Sequence, residues 1–247
     1  MEKEKITLLP YSFSTIILVF LFFITGCKDE YVTINVGENA QTEIIYNNHR
    51  VLLDIWNPKV ISKKKFEKEY VIASHLHEDH YEKNFYEKCT SDKLLMTPGT
   101  FKDEYFSIDT IGSSHTSYYK DGITPSNCIT LIQVHDIKIG HFGDFGQEFL
   151  TNEQIATFGK IDIAILPVLY TFNDAKNLND VIVKLKPSII IPTHYDLENL
   201  EILLNGRSAL FTGKTRFKFS KKDINPLEQK VIIYGELSSG YRKILQR

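Results

Sequence analysis

"VIASHLHEDHYEKN", Val71 to Asn84, decides how the rest of this sequence is read. Three of the chain's 8 histidines fall between His75 and His80, with Glu78 and Asp79 among them. The run ahead of them, "YVIAS" from Tyr70 to Ser74, has the length and side chains of a buried strand. Such a strand hands its next residues to a loop at the C-terminal edge of a sheet, where sites of α/β folds usually lie. His75 and His77 are two apart, so an extended backbone points both imidazoles to one side. Asp79 and His80 follow where the loop bends into "DHYEKNFYEKC", a stretch with Tyr81, Phe85 and Cys89 at helical spacing. One cation can take His75 and His77, and a second can take Asp79 and His80. Imidazole and carboxylate together suit zinc first, then iron or manganese.

A two-metal site needs further ligands, and three candidates sit at or just past other expected strand ends. His115 follows "DTIGSS", Asp144 follows "IKIGHFG", and His194 follows "SIIIPT". Gly143 and Gly146 flank Asp144 and let the backbone come close to a ligand. Singly, each candidate reads as a hydrogen-bonded histidine or a turn. Their joint occurrence at four strand ends points to one shared site. Asp54 in "LLDIW" and Asp162 in "KIDIA" are acids that can fix histidine tautomers from behind, the alternative being a cap or turn role. His141, just ahead of "FGD", is expected to support a ligand or simply to belong to its strand.

The chain has 247 residues, 43% hydrophobic and 24% charged, within the range of one large globular domain. A net charge of −2 gives no bulk attraction to nucleic acid, and "KKK" at Lys63 to Lys65 reads as a solvated face. The spacing predicts a hairpin from Glu43 to Ile55 turning at Asn47-Asn48, and a second from Cys128 to Phe142 turning at His135-Asp136. Thr151 is expected to cap a helix that stops at Gly159. "IDIAILPV" and "SIIIPTHY" read as buried strands separated by the helix "NDAKNLNDVIVKLKP". "LLMT", "FSIDTI", "TRFKFS" and "KVIIYGEL" add further strands. Helices lying between strands imply α/β layers with mixed sheets.

The first thirty residues differ from the rest. Lys3 and Lys5 precede an apolar core from Ile16 to Ile24, which is shorter than the ~20 residues a spanning helix needs. "ITGC" looks like the lipobox of a bacterial lipoprotein, with Cys27 as the lipid-bearing residue, although Glu2 and Glu4 weaken the positive start. The expected organisation is a signal peptide over 1–26, a tether over 27–31 and a domain over 32–247. An uncleaved single anchor is the alternative. Either route exports the protein and ties it to a membrane. Cys89 and Cys128 remain, either as a disulfide or as two ordinary thiols.

"SHLHEDH", "SSHTS", "HFGDFG", "IDIAILPV" and "KPSIIIPTHY", in that order, resemble the motifs of metallo-β-lactamase-fold hydrolases. The similarity runs from about Val51 to Tyr195 and is nearest to the broad branch that holds the ascorbate-6-phosphate lactonases. It implies a four-layer αββα sandwich with a dinuclear site at one edge. His75, His77 and His115 would hold the first metal, Asp79, His80 and His194 the second, and Asp144 would bridge them. One departure is "ILPVLYTF", where relatives often carry a glycine pair. Val168-Leu169-Tyr170 makes that loop bulkier, so substrate shape cannot be carried over.

The expected chemistry is hydrolysis. Two cations sharing a water lower its pKa, and the hydroxide attacks an ester, lactone or phosphodiester, with Asp79 orienting it. Tyr170 and Tyr195 are candidate pocket residues. A small-molecule or lipid-derived substrate is expected, and nucleic acid is disfavoured. No G-x-S-x-G elbow supports a side-chain nucleophile. The competing expectation is a non-catalytic metal- or ligand-binding lipoprotein on the same fold.

Overall fold

The computed structural model describes residues 31–116, 118–168 and 181–235. The expected signal segment, Cys27 and Tyr170 lie outside the described residues, as does much of the helix expected after "ILPV", of which residues 181–185 are helical.

Two sheets carry the fold. The first has the order β13-β1-β2-β3-β4-β5. Its strands are β1 (Val32–Val36), β2 (Thr42–Tyr46), β3 (His49–Leu53), β4 (Lys68–Ala73), β5 (Asp92–Leu95) and the late-arriving β13 (Arg216–Phe219). The second has the order β12-β14-β11-β10-β9-β8-β7-β6. It uses β6 (Gly99–Lys102), β7 (Phe106–Ser113), β8 (Asn127–Val134), β9 (Ile137–His141), β10 (Ile163–Pro167), β11 (Ile189–Thr193), β12 (Ser208–Phe211) and β14 (Lys230–Ile233). Pairing is parallel from β3 to β5 and from β9 to β14, and antiparallel in the hairpins.

The period-2 side-chain alternation of a strand explains the layering. Val51 and Leu53 of β3 face the core between the sheets, while Leu52 faces outward under α1 (Lys83–Lys88). Ile163 and Ile165 face that same central core, whereas Ala164 and Leu166 pack outward. Ile189, Ile190 and Ile191 divide in the same way. The outer face of the second sheet is covered by α2 (Asn152–Phe158), by the helical residues 181–185 and by the helix Leu197–Leu204. Strands buried on both faces must read as continuous apolar runs, as "VIA", "IAILP" and "IIIPT" do. The result is the expected αββα sandwich.

Turn chemistry sets the registers. Asn47 and Asn48 both adopt positive φ, 47° and 67°, as a two-residue hairpin turn requires. His135 takes φ 54° in the β8–β9 turn. Thr151 caps α2 through a capping box with Gln154, and Gly159 closes it. The helix after the histidine loop is shorter than its spacing implied. It begins at Lys83 with Glu82 as cap, because residues 77–80 form a tight turn in which His80 N–H bonds the His77 carbonyl at 3.0 Å. Cys89 and Cys128 are both free thiols, the first beside α1 and the second buried in β8.

Tyr86 of α1 is fully buried and fastens the outer layer to the site's edge of the first sheet. Its hydroxyl accepts from Ile55 N–H at 2.9 Å and donates to the Ile72 carbonyl at 3.2 Å. Tyr86→Phe leaves that buried N–H without its partner and should cost about 1–3 kcal/mol in urea unfolding.

Candidate metal centre

Five strand ends converge on one rim of the sandwich. β4 delivers Ser74, His75, His77, Asp79 and His80. β7 delivers His115, β9 delivers Asp144, β11 delivers His194, and β3 delivers Asp54. Asp54 and His194 sit at φ 52° and 43°, a left-handed conformation that turns the chain sharply where each strand stops.

Asp144 lies at the centre and is buried. Its Oδ1 is 3.2 Å from His80 Nε2 and 3.1 Å from His194 Nε2. Its Oδ2 is 3.1 Å from His115 Nε2 and 3.5 Å from His75 Nε2. One carboxylate therefore presents a different oxygen to each of two histidine pairs. His77 completes the second of these groups, its ring centroid 4.6 Å from that of His75 and 5.1 Å from that of His115. Asp79 Oδ2 lies 3.8 Å from His80 Nε2. Each of three sets brings its ligand atoms within 4.8 Å of one another: His75, His77 and His115; His75, His80 and Asp144; Asp79, His80 and His194. All seven expected ligand residues thus meet in one cluster.

Asp54, wholly buried beneath them, decides the tautomers. It accepts from Ser74 N–H at 2.6 Å, from Ser74 Oγ–H at 2.7 Å and from His80 Nδ1–H at 2.9 Å. Ser74 spends its only hydroxyl proton on Asp54, so it accepts from His75 Nδ1–H at 3.0 Å. Both imidazoles consequently have Nδ1 committed to a support and turn Nε2 toward Asp144. Even so, His75 Nε2 and Asp144 Oδ1 are buried without a hydrogen bond of good geometry. Buried polar atoms are rarely left so. A cation among these donors would supply the missing partner, and the residues present fit one.

The electrostatics agree. Burial, reinforced by the neighbouring His80, pushes His75 down to about 4, so it stays neutral as a ligand must. Burial works the same way on His80, but Asp54 and Asp144 outweigh it and push His80 up to about 10. Asp144 is held far below the usual carboxylate range: burial opposes this, and the facing imidazoles win. With protons as the only counter-charge, a proton on His80 does what a cation would do.

His141 is buried, donates from Nε2 to the Ala40 carbonyl at 2.9 Å, and comes within 4.0 Å of Asp54. It supports the loop before β2 from behind the site. Asp162 does not join the cluster, contrary to expectation. It precedes β10 and so lies at the opposite end of that strand, where it pairs with Lys221 at 2.8 Å and accepts from Lys138 N–H at 2.9 Å. Tyr195 packs against the outer core, its hydroxyl donating to the Tyr234 carbonyl at 3.4 Å.

Sequence reading missed Ser74 and Asn127. Asn127 accepts from Asp144 N–H at 3.2 Å and donates to Ser113 Oγ and the Phe142 carbonyl. Its Oδ1, with Ser74, also explains Gly143: a Cβ there would fall 2.3 Å from Ser74 Oγ and 2.7 Å from Asn127 Oδ1. A Cβ at Gly146 would fall 2.2 Å from the His115 carbonyl oxygen. These glycines admit neighbouring protein groups against the Asp144 turn.

Residues 36–194 match the profile of the Beta-lactamase superfamily domain. The chain belongs to that superfamily, and its fold is the metallo-β-lactamase fold with a His/Asp cluster able to bind metal. It resembles a proposed Zn-dependent hydrolase of the metallo-β-lactamase superfamily from Thermotoga maritima, at 20% identity and TM-score 0.58, over 83% of this chain and 98% of that one. It is similar to Igni18, a metallo hydrolase from Ignicoccus hospitalis, at 18% identity and TM-score 0.50, over 71% and 92% of the two chains. YhfI of Bacillus subtilis, a metallo-β-lactamase-fold protein, matches at 10% identity and TM-score 0.52, over 83% and 97%.

The high pKa of His80 makes cation loading a proton exchange. Binding Zn²⁺ at pH 7 should release roughly one proton from His80, and affinity should rise with pH until about 10. Calorimetry in two buffers of different ionisation enthalpy measures the release.

Proposed function

We propose that this protein is a dinuclear metal-dependent hydrolase of esters, lactones or phosphodiesters. The observation that carries the reading is the single Asp144 carboxylate, with Oδ1 toward His80 and His194 and Oδ2 toward His75 and His115. His75, His77 and His115 would hold one cation, Asp79, His80 and His194 the other, and Asp144 would lie between. Zinc suits this donor set best, with iron or manganese next. Two bound cations supply an acidified water and polarisation of the substrate oxygen.

The chain's own groups do the remainder. Asp54 locks His80 directly and His75 through Ser74, so that neither ring can turn as charge develops. His75, His80 and Asp144 form a buried floor, whereas His77 is exposed and the Asp79 carboxylate is 41% exposed. That open side favours catalysis over a non-catalytic binding role, since sequestration needs a closed shell. Asp79 stands where a water and a substrate must enter. It is placed to orient that water and to pass its proton to solvent.

The motif order favours the branch that includes ascorbate-6-phosphate lactonases, and the substrate class is a small or lipid-derived molecule. The low net charge argues against nucleic acid. The signal-like residues 1–26 and Cys27 favour an exported protein on the outer face of a bacterial membrane, held by a lipid.

Two experiments test these readings. Bound-metal analysis should find two cations per wild-type chain, and a screen of lactone, phosphodiester and phospholipid substrates should find chelator-sensitive hydrolysis. Asp144→Ala should lower that activity by at least about a thousand-fold, the several kcal/mol a metal centre contributes. A wild-type chain lacking metal, or active regardless of chelation, overturns the proposal. Separately, Cys27→Ala should abolish metabolic palmitate labelling and release the protein from membranes. Unchanged labelling would remove the lipid anchor from the picture.

A further inference from the structure

Gln147 and Gln154 are each 1% exposed, and neither belongs to the ligand set. Their side-chain amides pair reciprocally. Gln147 Nε2–H donates to Gln154 Oε1 at 2.8 Å, and Gln154 Nε2–H donates to Gln147 Oε1 at 3.1 Å. Two buried amides joined in a ring leave one further hydrogen and further lone pairs on each partner. These reach three separate elements. Gln154 Nε2–H donates to the Gly112 carbonyl at 2.9 Å, in the last residues of β7. Gln147 Oε1 accepts from Ser114 N–H at 3.3 Å, immediately before His115. Gln147 Nε2–H donates to the Phe149 carbonyl at 2.5 Å, and Gln154 Oε1 accepts from Thr151 N–H at 3.0 Å.

The pair therefore lies between the strand end that carries His115 and the turn that carries Asp144. A second clasp runs in parallel: Gly146 N–H donates to the Ser114 carbonyl at 2.8 Å, and Gly146 has no Cβ to obstruct it. Two of the other ligands, His80 and His75, are held instead by Asp54 and Ser74. His115 N–H is held from the other side by Ser126 Oγ at 3.0 Å, and the amide ring is the side-chain link between the Ser114–His115 segment and the turn of Asp144.

We propose that the Gln147–Gln154 amide pair is a positioning device that sets the separation of His115 from Asp144, and so the affinity of the cation shared by His75, His77 and His115. The inference rests on the dinuclear reading above. An apolar replacement of either glutamine leaves the partner amide and a backbone group buried without a bond, and frees the Ser114–His115 segment to drift. Loss of the Thr151 hydroxyl removes a backbone cap of α2 but none of the bonds made by the two side-chain amides.

The test is cation binding by the whole chain, with Zn²⁺ by competition titration and Co²⁺ by its visible absorption. His77→Ala and His194→Ala assign the two binding steps. Gln147→Leu and Gln154→Leu should weaken the step lost in His77→Ala by ~10–100-fold, and change the other by less than about three-fold. The Co²⁺ band of that step should shift. Thr151→Ala removes the hydroxyl that caps α2 but keeps the backbone N–H that meets Gln154, so it controls for stability. It should lower Tm and leave both affinities and the band unchanged. Equal loss at both steps, an unshifted band, or an affinity loss in Thr151→Ala matching that of the glutamine variants makes the role merely structural and overturns the inference. A wild-type chain that binds no cation overturns this inference together with the reading beneath it. A wild-type chain that binds two, with unchanged glutamine variants, overturns this inference alone.

Discussion

A buried carboxylate facing four imidazoles is the constraint on which this structure turns. Asp144 and Asp54 are almost wholly removed from water, and an uncompensated charge in such a place is prohibitive. The compensation must be positive and must sit within the ring of nitrogens. The histidines satisfy it by taking up protons, or by surrendering them to metal. The other features of the site follow from holding that carboxylate still. Asn127 holds its backbone, Gly143 lets the turn lie against Ser74, and Gly146 lets it lie against the chain at His115.

The two acids play different parts despite similar burial. Asp144 shows both oxygens to ligand nitrogens, whereas Asp54 shows its oxygens to Nδ1–H, hydroxyl and amide donors. The first can share charge with a cation. The second cannot reach one and serves to decide which nitrogen of His80 and His75 carries the hydrogen. This division separates a ligand from its support by hydrogen-bond direction alone.

Much of this was legible in the chain. The seven clustered residues announced themselves because histidines and acids directly after apolar runs are chemically conspicuous, and a strand's end fixes where they go. The hairpin at Asn47-Asn48 and the helix between Thr151 and Gly159 were legible through turn and cap chemistry. β6 and β12 were not, because "GTFK" and "SALF" are largely exposed edge strands with no buried run to mark them. β1 was obscured by its buried Thr33. Asp162 misled because an acid beside a buried strand looks the same at either end; its place ahead of Ile163 was the available signal. Ser74 and Asn127 were invisible, since a hydroxyl or amide gains its meaning only from what folds against it.

The site draws His75, His77, Asp79 and His80 from one sheet and His115, Asp144 and His194 from the other, and β13 returns near the end of the chain to pair with β1. Contacts so distant in sequence make for slow folding. A nascent polypeptide that stops short of residue 194 owns most of the coordinating groups yet lacks the last of them, and the first sheet still waits for its edge. Only a chain long enough to build both sheets can close the cluster.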